Sequence, residues 1–147
     1  MKGMTKLNTR ISSDEYYIRI AYAASQRSTC RRAQVGAVIV YDDIILGTGY
    51  NGSLPGYPHC DDETCNESNH CLRTTHAEIN ALHRAIKAGW VKELENATLF
   101  VTHRPCYSCA KTLAAFGLKD IVYDRMYKDE KAEEYFKIAK MTVFEVE

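Results

Sequence analysis

The sequence predicts an α/β protein in three layers, a mixed five-stranded sheet with helices on both faces. Two β-branched runs, VGAVIVY (35–41) and IILGTGY (44–50), are separated only by Asp42 and Asp43, which is the spacing of an antiparallel hairpin. Beyond residue 76 helical and extended patterns alternate, which calls for crossover connections and parallel strands. A length of 147 residues, 46% hydrophobic and 26% charged, suits one domain with a core of its own, residues 1–147, carrying a cysteine-rich insertion at about 52–75.

The elements follow in order. Ser12 with Glu15 fits a capping box, and Tyr16, Ile20, Ala23 and Ala24 fall at helical spacing, so a helix is expected over about 13–25. The hairpin comes next. NGSLPGYPHCDD opens a loop that lasts until about Thr75, too long for a plain connection. HAEINALHRAIKAG (76–89) reads as a helix ending at Gly89, ATLFVT (97–102) as a strand, and CYSCAKTLAAFG (106–117) as a helix ending at Gly117. DIVYD (120–124), EKAEEYFKIA (130–139) and TVFEV (142–146) complete the pattern as strand, helix and strand.

Composition excludes several classes. The formal net charge is zero, against the basic excess of a duplex nucleic-acid binder. No apolar run reaches the ~18–20 residues of a membrane span. The first residues, MKGMTKLNTRISSDEYY, lack the apolar centre of a signal peptide, so a cytoplasmic protein is expected, in the host cytoplasm if viral. In that reducing setting six cysteines read as metal ligands or reactive thiols before disulfides.

Two short pieces carry chemistry, HAE at 76–78 and PCYSC at 105–109, each at the start of a predicted helix. Cys106 and Cys109 are three apart, so both sulfurs face one side of a turn, and a helix N-terminus favours their thiolates. His76 adds a nitrogen. Three protein ligands leave one tetrahedral position, the arrangement of catalytic Zn2+, which lowers the pKa of water toward ~7. Glu78, two residues from His76, is placed to take the water proton, protonate a ring nitrogen and then the departing amine.

H-x-E followed by P-C-x-x-C is the signature of zinc-dependent nucleobase deaminases. With VGAVIV, GTGYNG, the cysteine-bearing loop and HCLRTTHAEINAL, the chain from about Ser12 to Val146 resembles the deoxycytidylate (dCMP) deaminases of bacteria and phages, in the cytidine deaminase-like superfamily. The resemblance implies the three-layer α/β/α cytidine deaminase-like fold and hydrolysis of dCMP to dUMP, which feeds thymidylate synthesis. It also implies a homohexamer, activation by dCTP and inhibition by dTTP, with Mg2+ on the triphosphate. His76, Cys106 and Cys109 match the catalytic zinc ligands and Glu78 the proton shuttle. Asn51 of GYNG matches a residue that bonds the substrate, and Tyr127 an aromatic packed near the base. Backbone around Thr102 and His103 lies at a strand end, where ligands sit in α/β sheets. Lys87, three turns beyond His76, is a candidate for phosphate, as are Arg27, Arg31, Arg32, Arg73 and Arg104. Arg104 departs from the small residue that many members carry before the proline.

The densest ligand cluster is elsewhere, in HCDDETCNESNHC (59–71). Cys30, Cys60, Cys65 and Cys71 make a full thiolate set for a second, structural zinc, with His59 or His70 able to replace one of them. Such a second zinc is also what the resemblance implies. Free thiols or a disulfide remain open for the same residues. For function, alternatives are a bifunctional dCMP/dCTP deaminase, a deaminase of tRNA adenosine, and a zinc module without activity. Zero net charge speaks against tRNA and the presence of Glu78 against the inactive module.

Overall fold

The computed structural model describes residues 9–30, 32–59 and 74–147. Helix α1 covers Ser13–Ser25, and the Ser12 hydroxyl accepts from the Glu15 backbone N–H at 3.1 Å, so the predicted cap is in place. Strands β1 (Gly36–Tyr41) and β2 (Ile44–Tyr50) form the hairpin. Its two aspartates do what Asn-Gly usually does: Asp42 (φ 50°) and Asp43 (φ 60°) both take the left-handed conformation of a two-residue turn matched to strand twist. A register shift between Ile39 and Val40 leaves Leu46 of β2 as the extra residue of a bulge.

The expected long loop is tied at its base. β3 (Gly52–Ser53) pairs antiparallel with β4 (Thr74–Thr75), bringing the two ends of the insertion together beside the next helix. That helix, α2, spans Ala77–Lys87. A 3-10 helix over Lys92–Asn96 follows, which the sequence reading missed because one short turn shows no helical period. Then come β5 (Thr98–His103), α3 (Tyr107–Ala115), β6 (Asp120–Arg125), α4 (Glu130–Ile138) and β7 (Thr142–Glu145). Gly89 and Gly117 sit just past α2 and α3 with φ of 98° and 88°, the conformation that ends a helix and favours glycine.

The sheet order is β2-β1-β5-β6-β7, antiparallel from β2 to β5 and parallel from β5 to β7, the mixed sheet that was expected. Alternation along β1 divides the core. Ala37 and Ile39 join Ala81, Leu99, Val101, Leu113 and Ile121 under α2 and α3. Val38 and Val40 face the other way and meet Tyr17, Ile18 and Ala21 of α1, with Phe100 and Val122. α4 packs outside α3 through Ala132 and Phe136 against Ala110.

Small residues set how closely α2 lies on the sheet. A Cβ on Gly49 would stand 2.3 Å from the Ala77 carbonyl oxygen, and one on Gly47 2.5 Å from that of Ala81. Only glycine on β2 opposite alanine on α2 allows this approach, and it puts the first turn of α2 against the end of the hairpin.

Candidate active site

Two helix starts meet at one point. His76 is the N-cap of α2 and Cys106 the N-cap of α3, and neither side chain caps its own helix. Both are left to face each other. His76 Nδ1 lies 3.1 Å from Cys109 Sγ and 3.6 Å from Cys106 Sγ, and the three atoms are mutually within 4.8 Å. Tetrahedral zinc with Zn–S near 2.3 Å and Zn–N near 2.0 Å separates its ligand atoms by roughly 3.5–3.8 Å. The donor set and its spacing therefore fit Zn2+. Among the described residues it is the one group of this kind.

Each helix start is held differently. For α2, the Asn80 amide donates to the Tyr50 carbonyl at 2.8 Å and the Thr75 carbonyl at 3.4 Å, adding to the glycine–alanine contact. For α3, Asp129 accepts from the Tyr107 backbone N–H at 2.8 Å. The same carboxylate caps α4 through Lys131 N (3.1 Å) and Ala132 N (3.2 Å). These bonds, Tyr107's foremost, hold the Asp129 carboxyl below its ordinary value of 3.8.

Glu78 is only 4% exposed, in the first turn of α2. Burial pushes its carboxyl up from the usual range, and the neighbouring His76 partly opposes that. Its carboxyl also contacts the Cys109 sulfur. In the pair of cysteines, the thiol of Cys106 is brought down to about 4, first by the hydrogen bond from Cys109, with burial opposing and His76 helping. Cys109 retains its proton, its pKa raised by that same bond and by burial. A cation at this point favours both thiolates.

A cavity of about 220 Å³ opens on His76, Glu78 and Cys106, with Asn51, His103, Arg104 and Tyr127 on its wall beside Cys30, Arg32 and Thr74. Asn51 is 6% exposed and half engaged: Oδ1 accepts from Val35 N (2.9 Å) and Nδ2 donates to the Ala33 carbonyl (2.7 Å). It holds the 33–35 wall and keeps one lone pair and one N–H for a ligand. Tyr127 also stands on the wall.

Other sequence expectations shift. Thr102 is fully buried behind the wall, its hydroxyl turned to Gly36 N (3.1 Å) and His103 Nδ1 (2.8 Å), so its side chain is a support and not a lining group. Lys87 is the last residue of α2, about 16 Å along the axis from His76, and is not among the cavity's lining residues. Equal facing on a helix does not bring its two ends together. Arg104 neither crosses the cavity nor points to water. It lies over the Phe136 ring (4.9 Å to the centroid) and donates to Glu133 at 3.2 Å, fastening α4 to the end of β5. Cys30 is buried and lines the same cavity, and His59 is exposed. Cys60, Cys65, His70 and Cys71 lie outside the described residues, as do Arg31 and Arg73. His103 is on the wall, where the sequence pointed to its backbone. The available signal was its place at the carboxyl end of a strand.

A three-layer α/β fold that sets a His/Cys/Cys group beside a buried glutamate defines a class, the zinc-dependent deaminases of nucleobases. Within it, residues 11–125 match the cytidine and deoxycytidylate deaminase zinc-binding region, and the chain belongs to that family. It is 41% identical over 140 residues to ComE operon protein 2 of Bacillus subtilis, covering 94% of this chain and 73% of that protein. It is 39% identical over 127 residues to the deoxycytidylate deaminase of Mycobacterium phage D29, covering 76% of this chain and 94% of the relative. The crystal structure of dCMP deaminase from the cyanophage S-TIM5 in complex with dCMP and dUMP superposes with a TM-score of 0.78 at 29% identity, covering 93% of this chain and 100% of that one.

Proposed function

We propose that this chain is an enzyme that hydrolyses dCMP to dUMP and ammonia. The observation that carries the reading is the buried Glu78 carboxyl beside the His76, Cys106 and Cys109 group, all opening on one cavity. The deoxycytidylate deaminases among its relatives, and the related structure holding dCMP and dUMP, support the choice of substrate.

His76, Cys106 and Cys109 would hold zinc, which when bound would supply the Lewis acidity that makes water acidic enough to attack near neutral pH. Glu78 does the proton work. Its carboxylate takes a proton from the attacking water and passes it to the ring nitrogen beside the attacked carbon. It then delivers the second water proton to the departing amine, so ammonia leaves and a carbonyl remains. Burial raises the affinity of Glu78 for protons, which suits a group that must both accept and donate. Asn51 offers its remaining donor and acceptor to the nucleoside, and Tyr127 offers its ring to the base.

The finer reading includes supply of dUMP for thymidylate synthesis, activation by dCTP, inhibition by dTTP with Mg2+ on the triphosphate, and a homohexamer. It also includes a second zinc held by Cys30 with cysteines or a histidine of the insertion. The burial of Cys30 beside the cavity supports that last point. None of the described helices is long and apolar enough to cross a membrane. The test is zinc per chain measured with release of ammonia and uridine product from dCMP, dCTP and cytidine, with and without dTTP. Turnover of dCMP is expected. Zinc-loaded protein inert toward dCMP, with or without dCTP and Mg2+, would overturn the reading.

A further inference from the structure

Thr102 and His103 end β5 at the carboxyl edge of its parallel pairing with β6, and the hydrogens between them can be counted. The Thr102 hydroxyl has one hydrogen and two lone pairs. It accepts from the Gly36 backbone N–H at 3.1 Å and meets His103 Nδ1 at 2.8 Å. Thr102 is fully buried, and among the described residues these are its only side-chain partners. If Nδ1 carried the hydrogen, the hydroxyl would accept twice and its own hydrogen would be stranded in the core. That loss exceeds what an ordinary hydrogen bond contributes. The hydroxyl therefore donates to Nδ1, and the ring hydrogen is on Nε2.

Nδ1 is turned toward the buried threonine, and His103 is among the residues that line the cavity on which Glu78 and His76 open. Among the described residues the opposite ring nitrogen has no hydrogen-bond partner. Burial and the neighbouring Arg125 hold the imidazole below its usual pKa, so the ring is a neutral donor. Its surroundings favour an anion. Arg125 stands opposite it in the sheet register. Of the acids around it, Glu78 is buried against His76 and Cys109, Asp124 is engaged by the Tyr22 hydroxyl, Asp129 by three backbone N–H groups, and Glu133 by Arg104.

We propose that His103, held in its Nε2–H tautomer by Thr102, is a specificity-determining residue that donates to the 5′-phosphate of the nucleotide. The proposal rests on the dCMP reading above. It makes His103 a reason the site takes a nucleotide in preference to a nucleoside.

The experiment compares kcat/KM for dCMP and for deoxycytidine in wild type, His103→Phe and His103→Gln, with zinc per chain and melting temperature recorded for each. In His103→Phe the ratio of the two kcat/KM values falls by about 10- to 100-fold, the size of one lost hydrogen bond to a charged group. His103→Gln, which retains an N–H donor, keeps part of the ratio and guards against a fold defect in the phenylalanine variant. Equal losses on both substrates would place the donor on the base or sugar and overturn the proposal, as would no change in either. Independently of activity, 15N spectra of histidine-labelled protein should show Nδ1 of His103 unprotonated and Nε2 protonated, the signal being assigned by its absence in His103→Gln. A protonated Nδ1 overturns the tautomer. Wild-type protein that leaves dCMP untouched sinks the dCMP reading itself, and the phosphate contact with it, while the spectrum still reports the tautomer.

Discussion

The two helix starts that build the metal group are positioned by different forces. α2 is seated by contact: Gly47 and Gly49 let its backbone lie directly on β2, and a Cβ at either position would collide with main-chain atoms that cannot swing away. α3 is seated by charge: one carboxylate, Asp129, grips its first backbone N–H with Oδ2 and caps α4 with Oδ1. Contact of this kind is rigid and all-or-none, because packed backbone has nowhere to relax. A hydrogen-bonded clamp yields by degrees and responds to pH. The chemistry follows the same division. The half that holds the buried Glu78 carboxyl is the rigid one, and the half that carries Cys106 and Cys109 is the adjustable one.

The strongest way to break the pair is to remove what the rigid half delivers. Glu78→Gln should lower kcat by about 10²- to 10⁴-fold with zinc per chain unchanged, since the variant keeps shape and loses the proton carrier. Activity near wild type would show that another group moves the protons. Gly49→Ala attacks the seat itself, where the new methyl would stand 2.3 Å from the Ala77 oxygen and 2.4 Å from Ala81 N. Overpacking of this kind costs about 1–3 kcal/mol and more where backbone is struck. Thermal melting should fall by several degrees and zinc retention with it, whereas an unchanged melting temperature would mean α2 is free to slide.

The adjustable half predicts milder effects. Asp129→Ala removes a cap shared by two helices and should cost about 1–2 kcal/mol in denaturant unfolding. Zinc affinity should weaken as α3 loosens, and chelator competition reads this directly. The pH dependence has a fixed sign. The Asp129 carboxyl is held below its ordinary value of 3.8, so its contribution is fully present above that pH and is lost as pH falls through the lower, folded-state value. The stability gap between wild type and Asp129→Asn should therefore close only in that acid range. A gap that closed near neutrality would point to another group. The smallest effect concerns the end of α4. α2 and α3 are followed by glycines at positive φ, but Lys140 takes φ 56° in that role. Lys140→Gly should raise stability by up to about 1 kcal/mol, visible as a slightly higher melting temperature.

Much of this was legible in the chain itself. Periodicity located α1 to α4 and the five strands of the sheet, with ends displaced by one or two residues, because alternation and the 3.6-residue period are properties of the chain. Spacing found His76, Glu78, Cys106 and Cys109, because ligands in the first turns of helices keep fixed offsets and metal chemistry restricts residue types. The resemblance to a known family brought the fold name and the family, and the match over residues 11–125 bears the family out. What spacing could not supply was distance between elements. Lys87 and His76 share a helix yet stand at its opposite ends, while Cys106 and His76, thirty residues apart, bring their side chains within 3.6 Å.

Local order, then, came from the sequence alone: which residues form elements, which faces are apolar, and which side chains bear the chemistry. Tertiary structure decided what those side chains face. Arg104 became a tie to α4, Asn51 a half-used amide, Thr102 a buried support and His103 a donor with its tautomer chosen for it. Each of these roles depends on a partner distant in sequence. A hydrogen bond or a packed ring is set by closeness in space, and only the folded sheet and its helices bring those partners together.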